Sequence, residues 1–199
     1  MNARHRKLRR ISLRHGAFLF AAILLWLPAT SSGAPQDADA RNPPQANPFS
    51  SAAGKVIVLI FVRTDCPIAN RYAPEIARLS AAHASDAVFW MVYPDKRESV
   101  DEIRKHQTEY HLALPVLRDP QGALMKRAQV SVTPEAAVFD ARGRLVYHGR
   151  IDNWFADFGR SRPVATTHEL VDAIAAAESG HPETLPSVPA VGCYLSDLQ

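Results

Sequence analysis

From Val56 onward, short solid apolar runs alternate with longer segments whose apolar residues recur every three or four positions. Val-Ile-Val-Leu-Ile-Phe-Val62 and Ala87-Val-Phe-Trp-Met-Val-Tyr93 contain no charged residue, a pattern suited to strands buried on both faces of a mostly parallel sheet. Between them, Pro67 to His83 carries Ile68, Tyr72, Ile76 and Leu79 at helical spacing. Ser99-Val-Asp-Glu102 reads as a capping box, opening a helix that runs to about His111. Asp119-Pro-Gln-Gly122 marks a turn, and Ala123–Ala128 a short helix. Ala136–Asp140 and Leu145–His148, joined by Ala141-Arg-Gly-Arg144, read as a β-hairpin. Thr167–Ala177 is an amphipathic closing helix ended by Gly180. Beyond it, Pro182, Pro186 and Pro189 predict an extended arm, residues 179–199, that carries Cys193. Strand and helix in alternation predict an α/β fold over about residues 55–178.

The N-terminal part has a different character. A cationic stretch to His15 precedes the apolar run Gly16–Leu27, then Pro28 and small residues to Ala34, the three-region pattern of a secretory signal. The 12-residue run is short of the roughly 20 needed to span a bilayer, so a cleaved signal is expected over 1–34, with an uncleaved anchor at 16–27 as the alternative. Residues 35–54, rich in Pro, Ala, Asn, Asp and Ser, read as a flexible linker. Charge respects this division. The chain holds 23 Lys and Arg against 20 Asp and Glu, but six of the basic residues lie in the first 34. The rest of the chain carries 17 against 20, a net charge of −3, which speaks against a nucleic-acid partner. The expected location is secreted or periplasmic, where disulfides persist.

The chemistry centres on Cys66, at the junction of the first strand with the helix that begins at Pro67. Proline suits the first helical position. A thiol just before it faces unpaired backbone N–H groups and the positive end of the helix dipole, which favour the reactive thiolate. Arg63 and Arg71 would add to this and Asp65 would oppose it. The alternative is a buried, inert cysteine.

Cys66, with Pro74 eight residues on inside the helix, resembles the active-site helix of the thioredoxin superfamily. Val132-Thr-Pro134 resembles that family's cis-proline loop. The string Thr-Asp-Cys-Pro-Ile-Ala-Asn-Arg-Tyr-Ala-Pro-Glu-Ile, with Gly149-Arg-Ile-Asp152 and Ala-Val-Gly-Cys193, is similar to extracytoplasmic redoxins and peroxiredoxin-like proteins. The resemblance implies a thioredoxin-like fold, a central mixed β-sheet flanked by helices. It also implies redox chemistry at Cys66, either thiol–disulfide exchange or thiol-dependent peroxide reduction, with Thr133 and Pro134 presenting the substrate. Two departures stand out. Ala69 occupies the place of thioredoxin's second cysteine, and Arg63 that of the Thr or Ser of peroxiredoxins.

Cys193 is the natural substitute for the missing cysteine. Three readings stand: a catalytic pair resolving at Cys193, a permanent bridge, or a Cys193 that is unpaired or bonded to another chain. Arg63, Asp65 and Arg150 are candidate substrate-binding residues, and Arg150 faces either the thiolate or Asp152. Asn153-Trp-Phe-Ala-Asp-Phe158 is an aromatic loop, either a docking surface or a satellite core cluster. The histidines form no ligand set, and no metal or cofactor is expected. The implied partners are protein thiols and disulfides or peroxide, with an external thiol reductant. The competing class is a non-catalytic binding module or copper chaperone on the same fold.

Overall fold

The computed structural model of the protein describes residues 46–52, 54–180 and 184–195; the expected leader and most of the expected linker lie outside them. β1 (Val56–Phe61) runs through the middle of a five-stranded mixed sheet, because its side chains are apolar on both faces. β2 (Ala87–Tyr93) lies parallel to it and β3 (Val116–Arg118) parallel to β2. On the other side, β5 (Glu135–Phe139) runs antiparallel to β1 and β6 (Leu145–Gly149) antiparallel to β5, giving the order β3-β2-β1-β5-β6.

Alternate residues of β1 feed two cores. Val56, Val58 and Ile60 face α2 (Pro67–Ala82), α3 (Val100–Glu109) and α5 (Glu169–Glu178). Ile57, Leu59 and Phe61 face the other layer, with Ala128 of α4 (Ala123–Ala128) and Ala52 beside α1 (Pro48–Ser51). α2 buries Ile68, Tyr72, Ile76 and Leu79, the residues whose spacing predicts the helix. The capping box of α3 is formed in both directions: Ser99 accepts from the Glu102 N–H, and the Glu102 carboxylate accepts from the Ser99 N–H.

The structure departs from the sequence expectation in several places. Folded chain begins before Lys55: Asn47 caps α1, and Phe49 packs edge-on against Phe139 with the Arg127 guanidinium 3.5 Å from its ring centre. The second half of the expected linker is therefore part of the packed structure, held by an aromatic residue too isolated for periodicity to register. β3, only three residues long, has no counterpart in the predicted pattern. The aromatic segment forms half of a small hairpin, β7 (Phe155–Asp157) with β8 (Arg160–Ser161), and Phe155 and Trp154 pack on Tyr72.

The described part of the C-terminal arm, residues 184–195, is extended and is bonded to the domain at several points. Leu185 N–H donates to Val146 O (2.7 Å) and Arg150 N–H to Val188 O (3.0 Å), which covers the outer edge of β6. β9 (Cys193–Tyr194) pairs antiparallel with β4 (Val132–Thr133), and Leu195 N–H donates to Ser131 O (2.9 Å). Two glycines permit this course. A Cβ at Gly149 would overlap Val188 O, and one at Gly192 would overlap Thr133 O.

Candidate active site

The site grows from the end of β1. After Phe61 the chain turns through Arg63–Asp65 and delivers Cys66 to the N-cap position of α2, followed by Pro67. The Cys66 side chain makes no cap bond to its own helix. It is fully buried instead, and its thiol donates to Thr133 O at 3.0 Å. Thr133 is the last residue of β4, and the Thr133–Pro134 peptide bond is cis. Thr133 Oγ1 is buried without a hydrogen-bond partner.

The pairing of β9 with β4 sets Cys193 opposite Thr133, on the same residue that Cys66 touches. Both cysteines are free thiols, Cys66 buried and Cys193 half-buried. Burial pushes the Cys193 thiol up to about 12. The negative charge Cys66 can carry acts in the same direction, while Arg63 acts against it. These surroundings favour the protonated form of the Cys193 thiol. Ala69, where thioredoxin has its second cysteine, is buried in the core.

The turn before Cys66 is held by charged groups. Arg63 pairs with Asp65 at 2.7 Å, and its Nε lies 3.9 Å from Asp95. Asp95, gripped by Arg97, is held below the usual carboxylate range chiefly by that hydrogen bond. Thr64 N–H donates to Glu98 Oε1 at 2.6 Å. Burial raises the Glu98 carboxyl, and its second oxygen is buried with no partner. On the other flank, Asn70 Nδ2 donates to Thr64 O (3.1 Å) and to the Tyr110 hydroxyl (3.2 Å). Asn70 Oδ1 meets His106 Nε2 at 2.8 Å, and His106 Nδ1 meets the Tyr93 hydroxyl at 2.8 Å. Burial lowers the His106 pKa.

Of the residues singled out from the sequence, Cys66, Cys193, Thr133 and Pro134 come together. Arg63 and Asp65 form the adjacent turn, and the Asp65 side chain is 65% exposed. Arg150 does not join them. Its guanidinium is taken by Glu169 and Thr167 at the start of α5, while the other expected partner, Asp152, accepts from the Tyr72 hydroxyl at 2.6 Å. Arg150 therefore tethers the end of β6 to the start of α5. Arg71, expected to add positive charge at Cys66, stacks over Trp154 and Phe155, 4.9 and 5.0 Å from their ring centres.

Glu98 and His106 are not legible as site residues, and Asn70 and Gly192 stand in the matched strings without an assigned role. A charged residue between Arg97 and Ser99 reads as surface, and a histidine on a polar helix reads as solvated. Gly192 beside Cys193 was the one available signal, since glycine marks close backbone approach. Among the described residues no three metal-capable side chains are grouped.

The chain matches the Redoxin family over residues 27–156, well over half its length. No curated protein matches it. Among solved structures it is similar to an uncharacterized conserved protein of Geobacillus kaustophilus, at 21% identity and TM-score 0.60, covering 71% of this chain and 77% of that one. It is also similar to a hypothetical protein of Sinorhizobium meliloti 1021, at 20% identity and TM-score 0.58, covering 72% and 80%. A third is a secreted disulfide oxidoreductase of Mycobacterium tuberculosis, at 24% identity and TM-score 0.47, covering 66% and 94%. The match across the strand–cysteine–helix unit and the cis-proline loop, together with the mixed sheet, has one conclusion: the chain belongs to the redoxin family and is a thioredoxin-like redox protein.

Proposed function

We propose that the protein is an extracytoplasmic thiol–disulfide oxidoreductase that cycles between a Cys66/Cys193 dithiol and a Cys66–Cys193 disulfide. The observation that carries this reading is the β9–β4 pairing, which puts Cys193 opposite Thr133, the residue whose carbonyl accepts from the Cys66 thiol. Cys66, as thiolate, attacks a sulfur of the substrate disulfide and displaces the other as a thiolate, leaving a mixed disulfide. Cys193 then gives up its proton and attacks Cys66 Sγ. The substrate leaves as a thiolate, takes up a proton, and the internal disulfide remains. Two electrons have passed from the cysteine pair to the substrate, and an external thiol reductant returns them.

In this scheme Thr133 and Pro134 form the wall against which the substrate backbone lies, and Glu98 holds the Thr64 turn. The export reading of residues 1–34 supports a compartment in which such a pair is useful. No helix among the described residues is long and apolar enough to cross a membrane.

The test is alkylation and mass spectrometry of Cys66 and Cys193 before and after one equivalent of a small disulfide, and separately of peroxide. A reversible Cys66–Cys193 disulfide, lost in Cys66→Ser, is the expected result. Formation of that bond with peroxide alone would reassign the substrate to peroxide, through a sulfenic acid at Cys66 that Cys193 resolves with release of water. Persistent free thiols with stoichiometric, Cys66-dependent copper binding would replace the enzyme by a metal chaperone.

A further inference from the structure

The seat that β9 occupies is an edge of backbone next to a buried sulfur. Among the described residues β4 pairs with β9, and what β9 places there is a cysteine opposite Thr133. We propose that β9 is a built-in stand-in for a substrate strand. The edge of β4 binds an extended peptide carrying a cysteine in disulfide linkage, and the arm must leave before that peptide enters. The inference rests on the redox reading of Cys66 and adds the substrate class and the gate.

The arm's own side chains specify that class. The residue before the cysteine must be very small, since any Cβ at Gly192 overlaps Thr133 O. The residue after it is free, because Tyr194 is exposed. The next must be apolar, because Leu195 is buried in the core around Ala128 and Val130 while its N–H donates to Ser131 O. The selected segment is thus small–Cys–any–apolar, added to the sheet edge as a strand. Cys66 is fully buried when the arm is seated, so the arm also closes the site at rest.

The sharing of one seat links two steps. Cys66 attacks the peptide's disulfide, forming Cys66–S–S–peptide and releasing the other half as a thiolate. When the arm returns, it displaces the peptide strand and brings Cys193 to the mixed disulfide. Attack by Cys193 on Cys66 Sγ expels the peptide thiolate, and the Cys193 proton passes to it through solvent. Resolution and product release become one event.

The test uses the Cys193→Ser chain, which keeps the arm and stops at the mixed disulfide, with and without Leu195→Ser to loosen the arm. The probes are eight-residue peptides whose cysteine carries a thionitrobenzoate group, with Gly-Cys-Tyr-Leu or Val-Cys-Tyr-Leu at the centre. Release of the coloured thiolate gives the rate, and mass spectrometry identifies the adduct on Cys66. The loosened chain is expected to react with the Gly peptide about tenfold faster than the arm-intact chain does. It should also favour the Gly peptide over the Val peptide by about tenfold, ~1.4 kcal/mol in barrier. Equal rates for the two peptides, or no gain on loosening, would overturn the proposal. Gly192→Ala, in the same Cys193→Ser background, loosens the arm from a second point if Leu195→Ser does not fold, as judged by thermal unfolding. Hydroxyethyl disulfide serves as the control on the wild-type chain. Reaction with it, alongside peptide indifference, removes this inference alone, whereas no reaction with any disulfide removes the redox reading as well.

Discussion

Cys193 owes its high pKa to its surroundings more than to its own chemistry, with burial first and then Cys66. Replacing Cys66 with serine takes away the neighbouring charge and leaves the burial. In Cys66→Ser, the Cys193 thiol should therefore titrate below about 12, and its alkylation at pH 9 should speed up by about threefold or more. Iodoacetamide rates measured by mass spectrometry check this, and an unchanged rate would mean that the two sulfurs do not interact. His106 supplies a second prediction. Its pKa is lowered by burial, so the folded protein binds fewer protons than the unfolded chain as pH falls below about 6.5. Stability is then present above that pH and lost as pH falls through the folded value. Urea midpoints measured from pH 7 to pH 5 should fall in the wild type and fall less in His106→Gln. The sequence offered six histidines after residue 34 and no means of choosing among them. What distinguishes His106 is that α3 lays it between Tyr93 of β2 and Asn70 of α2, a contact among three segments distant along the chain.

Elements show the same division between local and long-range causes. The α3 capping box is legible because its two partners are three residues apart. Ser99→Ala should cost about 1 kcal/mol in chemical denaturation, the usual cost of losing such a cap. The arm is the contrasting case. Its prolines announce that it is extended, but its seat depends on Gly149 and on backbone bonds to β6. Gly149→Ala should push Val188 off the strand, and hydrogen exchange at the Arg150 and Leu185 amides should rise while the β1 amides stay protected. Equal protection in both variants would mean that the arm has another anchor. The strand–helix junction at Cys66 was readable for the same reason as the cap: an apolar strand, a cysteine and a proline lie in one continuous stretch.

At the scale of the whole molecule, the proposed Cys66–Cys193 disulfide would tie the start of α2 to β9, enclosing most of the described domain. A bond closing a loop of well over 100 residues contributes about 4–5 kcal/mol when judged from chain entropy. The oxidised protein should therefore resist guanidinium at clearly higher concentration than the reduced protein, with coincident transitions by fluorescence and circular dichroism. Equal midpoints would show that oxidation does not form this bond. The same architecture separates roles along the sheet. The carboxyl ends of β1 and β2 supply the Cys66 turn and its Asp95 and Glu98 supports, and the edge at β6 holds the arm.

Elements whose causes lie within a few residues are written in the chain itself: the apolar strands, the α2 face, the α3 cap, and a cysteine at a helix start. Thr133 and Pro134 could be located as well, through their resemblance to a known loop. Which charged groups are buried, where Arg150 points, and that Asn47–Ala52 belongs to the packed chain emerged from the three-dimensional packing alone. So did the approach of Cys193 to Cys66, because that meeting depends on β9 pairing with β4 across more than fifty residues of intervening chain. Periodicity reports what one segment buries. It carries no record of which partner another segment, arriving from far along the chain, presents to it.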